Sequence, residues 1–390
     1  MEATRQAPAL FAPGPTYVPE RLRLAMGEPL IHHRSPQFKV MFADIRERLA
    51  RVWRAGPDWE PLVFACSGSG AMEAAVVNFM RRDRAALVIS SGKFGERWST
   101  VVRAYGCQVV EHKLRWGERV SIPAVEDVVR ANPNIGVVYL TSADTSTGIR
   151  HPIGELCQSI RKLSDALIVV DCICDFGGGR PVRPLEWDCD ALISSSQKCL
   201  LLPPGLGLAH LSPRAIAALA EADLPRFYFD WRSELAYQRD ESITHFTSPV
   251  SLLRGLQEML RMMEETGVEV IEQRYAGMGR SVRAGIEALG LEVFPDDPSD
   301  ALTVVRCSPG LDGGAVISHL REHHGVQLGS GQDAIKGKVF RIGHMGVFGA
   351  REVYGLFGVL EATLAALGHL RCEPGASVAA LARAFSGKHG

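Results

Sequence analysis

The sequence predicts an α/β fold, a large unit with a mostly parallel sheet flanked by helices, followed by a smaller α+β unit. Three observations predict it. From about Phe38 to Leu211, short apolar strand-like runs alternate with stretches of helical periodicity, the pattern of repeated βα units. The run Ala166-Leu167-Ile168-Val169-Val170 is apolar throughout, as a strand covered on both faces must be, and it ends in Asp171, where such sheets present their ligands. After about Pro249 two long helical patterns replace the alternation, and short strands with two further helices follow them.

The elements follow in order. Residues 1–37 contain Pro13-Gly14-Pro15, Pro19, Pro29 and Pro36, so they read as an extended arm lying on another part of the chain. A large unit over 38–250 then reads as a helix from Phe38 through Trp53, a strand at Leu62–Cys66, a helix from Ala71 to Met80 and a strand at Ala86–Ser90. It continues with a helix at Arg97–Tyr105, strands at Gln108–Glu111 and Gly136–Thr141 around a helix near Val125–Ala131, and a helix at Gly154–Leu163. The strand ending at Asp171 and strands at Ala191–Ser195 and Leu206–Leu211 complete it. A small unit over 251–370 begins with helices at Leu252–Met263 and Val268–Leu289. Its strands are Glu292–Phe294, Thr303–Cys307, Val326–Leu328 and Val339–Ile342, with helices at Gly314–His323 and Ala350–Leu367. Residues 371–390 read as a tail with a short helix at Ser377–Phe385.

Composition narrows the function. With 390 residues, 46% of them hydrophobic, the chain has material for a large core. The 43 Lys and Arg against 44 Asp and Glu leave a net charge of -1, without the basic footprint of a nucleic-acid or anionic-membrane binder. No run approaches the roughly 18 apolar residues of a membrane span, and Met1 to Leu10 lacks a signal-peptide apolar region, so a cytoplasmic protein is expected. The nine cysteines form no CxxC pair, and Cys172 with Cys174 is an isolated CxC, so reduced thiols and no metal site are expected.

The chemistry concentrates around one lysine. In Ser194-Ser195-Ser196-Gln197-Lys198-Cys199-Leu200-Leu201-Leu202-Pro203-Pro204-Gly205, Lys198 stands between small hydroxyl residues and an apolar run closed by a Pro-Pro-Gly turn. A solvated surface lysine is a poor reading of that setting. A Schiff-base lysine, with an acid at an earlier strand end, is what a pyridoxal 5′-phosphate site needs. Asp171 is then the partner that keeps the pyridine nitrogen protonated, against the plain alternative of a turn or cap aspartate. Cys66-Ser67-Gly68-Ser69-Gly70-Ala71-Met72-Glu73 joins a strand to a helix and forms a candidate phosphate cradle. It is neither a dinucleotide GxGxxG nor a Walker loop. Phe94, at another strand-to-helix turn, is a candidate to stack on the cofactor ring or a core residue. Thr145 is a candidate hydrogen-bond partner of that ring or a turn residue. Arg341, between apolar neighbours, is a candidate clamp for a substrate carboxylate or one half of an internal salt bridge.

These segments, in this order, resemble the class V, fold-type I pyridoxal-phosphate aminotransferases, in particular the alanine:glyoxylate and serine:pyruvate branch. The resemblance covers nearly the whole chain. It rests on Gly14-Pro15-Thr16 with Pro19, His32-His33-Arg34-Ser35-Pro36, Ser67-Gly68-Ser69-Gly70 with Glu73, and Gly92-Lys93-Phe94-Gly95-Glu96-Arg97. It continues through Thr145-Ser146-Thr147-Gly148, Val170-Asp171, Ser196-Gln197-Lys198 with Pro203-Pro204-Gly205, and Arg341-Ile342-Gly343-His344-Met345-Gly346. The resemblance implies a homodimer with sites near its interface. Ser69, Gly70, Ala71 and Gln197 would contact the phosphate, Phe94 would stack, Thr145 and Asp171 would hold ring atoms, and Ile173 would pack beneath the ring. Lys198 would hold the cofactor, Arg341 would bind carboxylate, and Thr247 would reach the phosphate of the partner subunit. The implied reaction is ping-pong transfer of an amino group from a small amino acid, of alanine or serine type, to a small 2-oxo acid such as glyoxylate or pyruvate. Because the cofactor fixes the electron sink and not the bond that breaks, elimination, decarboxylation, aldol-type or sulfur-transfer chemistry stands as the alternative, with a non-catalytic cofactor-binding protein behind it.

The chain departs from that pattern in places. Thr244 stands where an aromatic phosphate ligand is common, Ser142-Ala143-Asp144 replaces a His-Asn-Glu type of run, and Asp175 adds a carboxylate just past Asp171. If Asp175 faces the substrate, it would favour an amine-bearing substrate or act as a further acid or base.

Overall fold

The computed structural model describes residues 8–386. Its strands, in chain order, are β1 (Ala9–Phe11), β2 (Glu60–Cys66), β3 (Ala85–Ser90), β4 (Val109–Lys113), β5 (Ile135–Thr141), β6 (Ala143–Asp144), β7 (Ile149–Arg150) and β8 (Leu167–Asp171). They continue with β9 (Ala191–Ser195), β10 (Gly205–Leu211), β11 (Glu292–Val293), β12 (Leu302–Arg306), β13 (Val326–Ser330) and β14 (Val339–Gly343). Seven form the large sheet in the order β2-β10-β9-β8-β5-β3-β4, in which only β10 runs against its neighbours. Five form the small sheet, β1-β13-β14-β12-β11, and β6 pairs with β7 as a short ribbon. The expected α/β architecture with a smaller α+β unit is what the chain adopts.

The uninterrupted apolar strands of the large sheet divide their side chains between two cores. Val138, Leu140, Ile168, Val170 and Leu192 enter the core on one face, with Phe38, Phe42, Ile45 and Trp53 of the helix Pro36–Trp53. Val137, Tyr139, Leu167, Val169 and Ile193 enter the other, with Ala71, Met72 and Ala75 of the helix Gly68–Phe79 and with Trp98. A period of two with both phases apolar is the physical content of a central parallel strand. Each fully buried Leu or Ile contributes about 1.5–3 kcal/mol relative to exposure. A charged residue on either face of β8 would therefore break a core rather than decorate a surface.

The unit boundaries drawn from sequence shift in three places. The helix Val250–Thr266 buries Leu253, Leu256, Met259, Leu260 and Met263 in the first core of the large sheet and packs on the helices Glu20–Met26 and Pro36–Trp53. Packing thus assigns it to the large unit, not to a small unit starting at 251, because its apolar stripe completes a face the sheet leaves open. The arm is not wholly extended, since it contributes β1 to the small sheet and the helix Glu20–Met26 to the large unit. The tail from 371 is packed as well. Its helix Ala376–Ser386 lies on the helix Val268–Ala288, and Glu361 accepts hydrogen bonds from Gly375 N at 2.6 Å and Ser377 N at 2.9 Å. The ends of arm and tail, 1–7 and 387–390, lie outside the described residues.

Candidate active site

The register of the large sheet gathers the site. Thr141 of β5 lies beside Asp171 of β8, and Asp171 beside Ile193 of β9. The segments leaving the carboxyl ends of these strands, 142–148, 172–179 and 196–205, therefore emerge together, where a parallel sheet opens its ligand crevice. The helix Gly68–Phe79, which follows β2, points its N-terminus at the same place.

A cleft of about 120 Å³ occupies that end of the sheet, lined by Ser67, Gly68, Ser69, Met72, Phe94, Arg97, Ala143, Thr145, Asp171, Ile173, Cys174, Gln197 and Lys198. Seven residues singled out from sequence line it: Ser69, Phe94, Thr145, Asp171, Ile173, Gln197 and Lys198. Gly70 and Ala71 stand one step behind. Ser67 caps the helix, its hydroxyl accepting from Gly70 N at 3.3 Å and its carbonyl from Ala71 N at 3.0 Å. That leaves the N–H groups of Gly68 and Ser69 without an intrahelical partner, directed by the helix end at whatever anion arrives. At Gly68 a side chain is excluded, because a Cβ would stand 2.9 Å from Ser195 Oγ and 3.0 Å from Ile173 Cδ1.

Lys198 is half-buried, and the burial of its amine holds it below the ordinary lysine range. Its Nζ donates to the carbonyl of Pro13 and, at 3.3 Å, to Thr145 Oγ1. The Phe94 ring centroid lies 5.7 Å from Nζ, and the Arg97 guanidinium packs on the same ring at 4.8 Å. Asp171 is buried with one carboxylate oxygen accepting from Ile173 N at 2.8 Å, and burial raises its pKa to about 7. Such a carboxyl is short of the cation that would hold it ionised.

Arg341, on β14, is in a matching position of need. Its Nη1 donates to the Thr145 carbonyl at 2.6 Å and its Nε to the Ser330 carbonyl at 2.8 Å. Among the described residues no carboxylate lies within ion-pair distance of it, and burial lowers its pKa to about 10, so the internal salt bridge weighed from sequence is absent. Thr247 does not reach the cleft of its own chain. It lines a separate hollow with Phe64, Ala65, Tyr228, Glu234, Thr244, Phe246 and Ser248.

One expectation drawn from the departures is corrected. Asp175 is not on the cleft. Its side chain is fully enclosed, accepting from Ser142 Oγ and, at 3.1 Å, from Arg180 N, so it ties the 142–148 and 172–180 turns together. Asp144 does comparable work, accepting from Phe94 N and Gly95 N at 2.9 Å each and thereby fixing the start of the helix that carries Phe94 and Arg97. Burial raises Asp175 to about 6 from the ordinary carboxylate value of 3.8. Because the folded state favours its protonated form, the associated stability is full below 3.8 and is lost as pH rises through about 6. Asp175→Asn is expected to flatten the fall in Tm across that window while leaving the ranking of amino donors unchanged, measured by thermal melts and initial rates; a changed ranking would return Asp175 to the substrate.

Arg97, Met72, Ala143 and Cys174 also line the cleft, and none of them has an individual role among the sequence-based expectations. Arg97 had a signal: it falls one helical turn after Phe94, on the same face, and donates to Ser69 Oγ at 2.7 Å. Cys174 is buried with its thiol pushed well above the ordinary value, and Cys307 lies away from the cleft, so no described thiol has the exposed, ionised setting that sulfur transfer asks for. Among the described residues no group of three or more His, Cys, Asp or Glu side chains is disposed to hold a metal ion, and no described helix is long and apolar enough to cross a membrane.

A lysine, a buried acid and a helix N-terminus meeting in one α/β crevice point to a family, and the comparison with known sequences decides it: the model of the class V aminotransferases matches residues 21–347. The chain belongs to the class V aminotransferases. The protein is 35% identical over 384 residues to a Synechococcus protein named as the small subunit of a soluble hydrogenase, covering 97% of this chain and 98% of that one. It is 32% identical to the L-aspartate–glyoxylate aminotransferase of Paracoccus denitrificans, over 97% of this chain and 96% of that one. The serine–glyoxylate aminotransferase of Methylorubrum extorquens is also 32% identical, over 97% of each chain. Among solved structures, the ureidoglycine–glyoxylate aminotransferase of Bacillus subtilis superposes with a TM-score of 0.91 at 26% identity, over 99% of this chain and 100% of that one. This aminotransferase is a transaminase of PLP fold-type I, and its cofactor is pyridoxal 5′-phosphate. The cleft suits that group: bare N–H groups and Arg97 for a phosphate, a flat aromatic face at Phe94, a buried acid without a cation, and a Gln197 Oε1 that is enclosed and unpartnered.

Proposed function

We propose that this transaminase moves an amino group from a small amino acid, of alanine or serine type, to a small 2-oxo acid of glyoxylate or pyruvate type, in ping-pong order. The observation that carries it is the disposition of Lys198, Thr145 and Arg341. One threonine takes the lysine amine on its hydroxyl and the arginine on its carbonyl, so proton-transfer group and carboxylate clamp are held from a single residue. The three aminotransferases named above all carry glyoxylate in their names and differ in the donor, which supports the acceptor more narrowly than the donor.

Bound in the cleft, pyridoxal phosphate supplies the electron sink for a bond broken at the substrate Cα. Lys198 would hold the cofactor and would move the proton at the substrate Cα. Burial lowers the pKa of its amine, which favours the unprotonated form that this task needs. Asp171 would hold the ring nitrogen in its protonated form. Gly68, Ser69, Gln197 and Arg97 hold the phosphate, with Gly70 and Ala71 shaping the helix end behind them. Phe94 and Ile173, both on the cleft, would pack against the ring and exclude water. Arg341 orients the substrate carboxylate with its planar fork, which sets Cα toward Lys198.

The protein acts as a homodimer in this reading. Phe227 is 79% exposed beside Tyr228 and Phe246, at the rim of the hollow that contains Thr247. An aromatic patch of this kind suits a second copy, whose cleft Thr247 would reach. A monomer in sedimentation at assay concentrations would remove that role of Thr247.

The deciding experiment follows the visible spectrum of the purified protein while single amino acids, aspartate included, and then single 2-oxo acids are added. Loss of the cofactor's yellow band with alanine or serine, restored by glyoxylate or pyruvate, is expected. Response to aspartate alone would overturn the donor assignment, and a change that no oxo acid reverses would favour elimination or decarboxylation. For Arg341→Gln, KM for donor and acceptor should each rise roughly 10- to 100-fold with kcat less affected, the loss of charged hydrogen bonds to substrate of about 1.5–3 kcal/mol. Equal KM values in steady-state kinetics would show that the carboxylate binds elsewhere.

A further inference from the structure

The N-terminal arm reaches the lysine that lines the cleft. After β1, whose Leu10 and Phe11 pair with Gln327 and Leu328 of β13, the chain runs over the small sheet so closely that a Cβ at Gly343 would stand 2.3 Å from Ala12 O and one at Gly329 2.6 Å from Pro13 Cδ. It then meets Lys198. Gly14, at φ +119°, lies against the lysine stem, and a Cβ there would stand 2.8 Å from both Cδ and Nζ. Thr16 Oγ1 donates to the Lys198 carbonyl at 3.2 Å. Between Ala12 and Thr16 the arm thus touches the small sheet on one side and the lysine on the other. Its Pro13 carbonyl, with no N–H of its own to complicate the contact, accepts from Lys198 Nζ.

We infer that the Pro13 carbonyl is a positioning group for the Lys198 amine: with Thr145 Oγ1 it forms the resting seat of Nζ whenever the lysine is not joined to the cofactor. The inference rests on the reading of Lys198 as the cofactor lysine. An amine released beside a bound substrate needs a fixed acceptor, or it loses both its aim at Cα and its hydrogen bonds in a buried site. Pro13 and Thr145 occupy two of its three donor directions. Because β1 belongs to the small sheet, which also carries Arg341, the Pro13 part of the seat and the carboxylate clamp are mounted on one body. The glycine-proline arm is then part of the catalytic wall, and Gly14 is required there because any side chain would enter the lysine's space.

The charged and titratable groups facing Nζ are Asp171 and Cys174 from β8 and the turn after it, Cys199 beside it in sequence, and Arg341 from β14. A carbonyl acceptor favours the ammonium form, so weakening it lowers the amine's pKa further. The test replaces the Pro13–Gly14 amide by an ester in the full chain, made by joining a synthetic arm to the expressed remainder. The swap keeps the shape and leaves Pro13 with a poorer acceptor oxygen. Lys198 labelling by an acetylating reagent, read by peptide mass spectrometry across pH, is measured in the protein loaded with pyridoxamine phosphate, where the lysine is free. The labelling midpoint is expected to fall by about one unit, a tenfold change in free amine below the midpoint. Gly14→Ala, which pushes arm and lysine apart, should shift it the same way while circular dichroism and the melt stay those of a folded protein.

An unchanged midpoint in the ester protein would overturn the inference, even if Gly14→Ala impaired turnover for steric reasons. Borohydride reduction and peptide mapping locate the cofactor lysine independently. A label on another lysine would defeat the reading of Lys198, whereas a label on Lys198 with an unmoved midpoint would defeat only the role of Pro13.

Discussion

Lys198→Ala is expected to lower the rate of amino transfer by at least about 10³-fold, within the 10²–10⁴ that a positioned acid-base group supplies and with the covalent hold on the cofactor removed as well. The expectation follows from what surrounds the lysine. Its stem is buried against the arm at Gly14, and its amine is held by Thr145 and the Pro13 carbonyl. No other described lysine lines the cleft, so no second amine stands ready to take over. Cofactor should still bind, because the helix end at Gly68 and Ser69, the Asp171 carboxyl and the Phe94 face are untouched. Single-turnover mixing of the variant with alanine and cofactor would read the proton-transfer step directly. A variant that kept a rate within tenfold of the parent would end the assignment of Lys198, and added methylamine, a small base that fits the vacated stem, should recover part of the lost rate.

Much of this site was legible in the sequence because strand ends are. Asp171 and Lys198 follow apolar runs whose length and both-phase hydrophobicity identify central strands, and side chains just past such strands share one end of the sheet. Ser69, Phe94 and Thr145 were found by the same route, as residues of strand-to-helix or strand-to-turn junctions. The sequence does not show which junction residues turn inward. Asp175 lies two residues past Ile173 yet faces away from the cleft, because the turn after β8 wraps its carboxylate around Arg180 N and Ser142. The arm is the larger miss. Proline and glycine between 13 and 19 marked it as irregular, but its docking depends on pairing across more than 300 residues, Phe11 with Leu328, and local pattern carries no information about a partner that distant. The helix Val250–Thr266 was located and assigned to the wrong body for the same reason. Its apolar stripe announces a core but not which of two.

For Asp171→Ala, the second large effect, kcat should fall by roughly 10²–10⁴, with cofactor retained less firmly. A carboxyl raised to about 7 by burial is held in a state poised between charge forms, and it ionises fully only when a cation comes beside it. If that cation is the protonated ring nitrogen, each group stabilises the charge of the other in a site where neither has water. Removing one member of such a buried pair costs about 3–5 kcal/mol, and each 1.36 kcal/mol left unpaid at the transition state is a factor of ten in rate. The effect should therefore be electrostatic rather than steric. Asp171→Asn, nearly the same shape, is expected to be impaired almost as severely as the alanine variant, and Asp171→Glu less than either. A cofactor analogue methylated at the ring nitrogen carries a permanent positive charge, so it should rescue the alanine variant in part and the parent not at all. If the asparagine variant turned over at the parental rate, the acid would be a structural cap for Ile173 N and the ring nitrogen would depend on some other group.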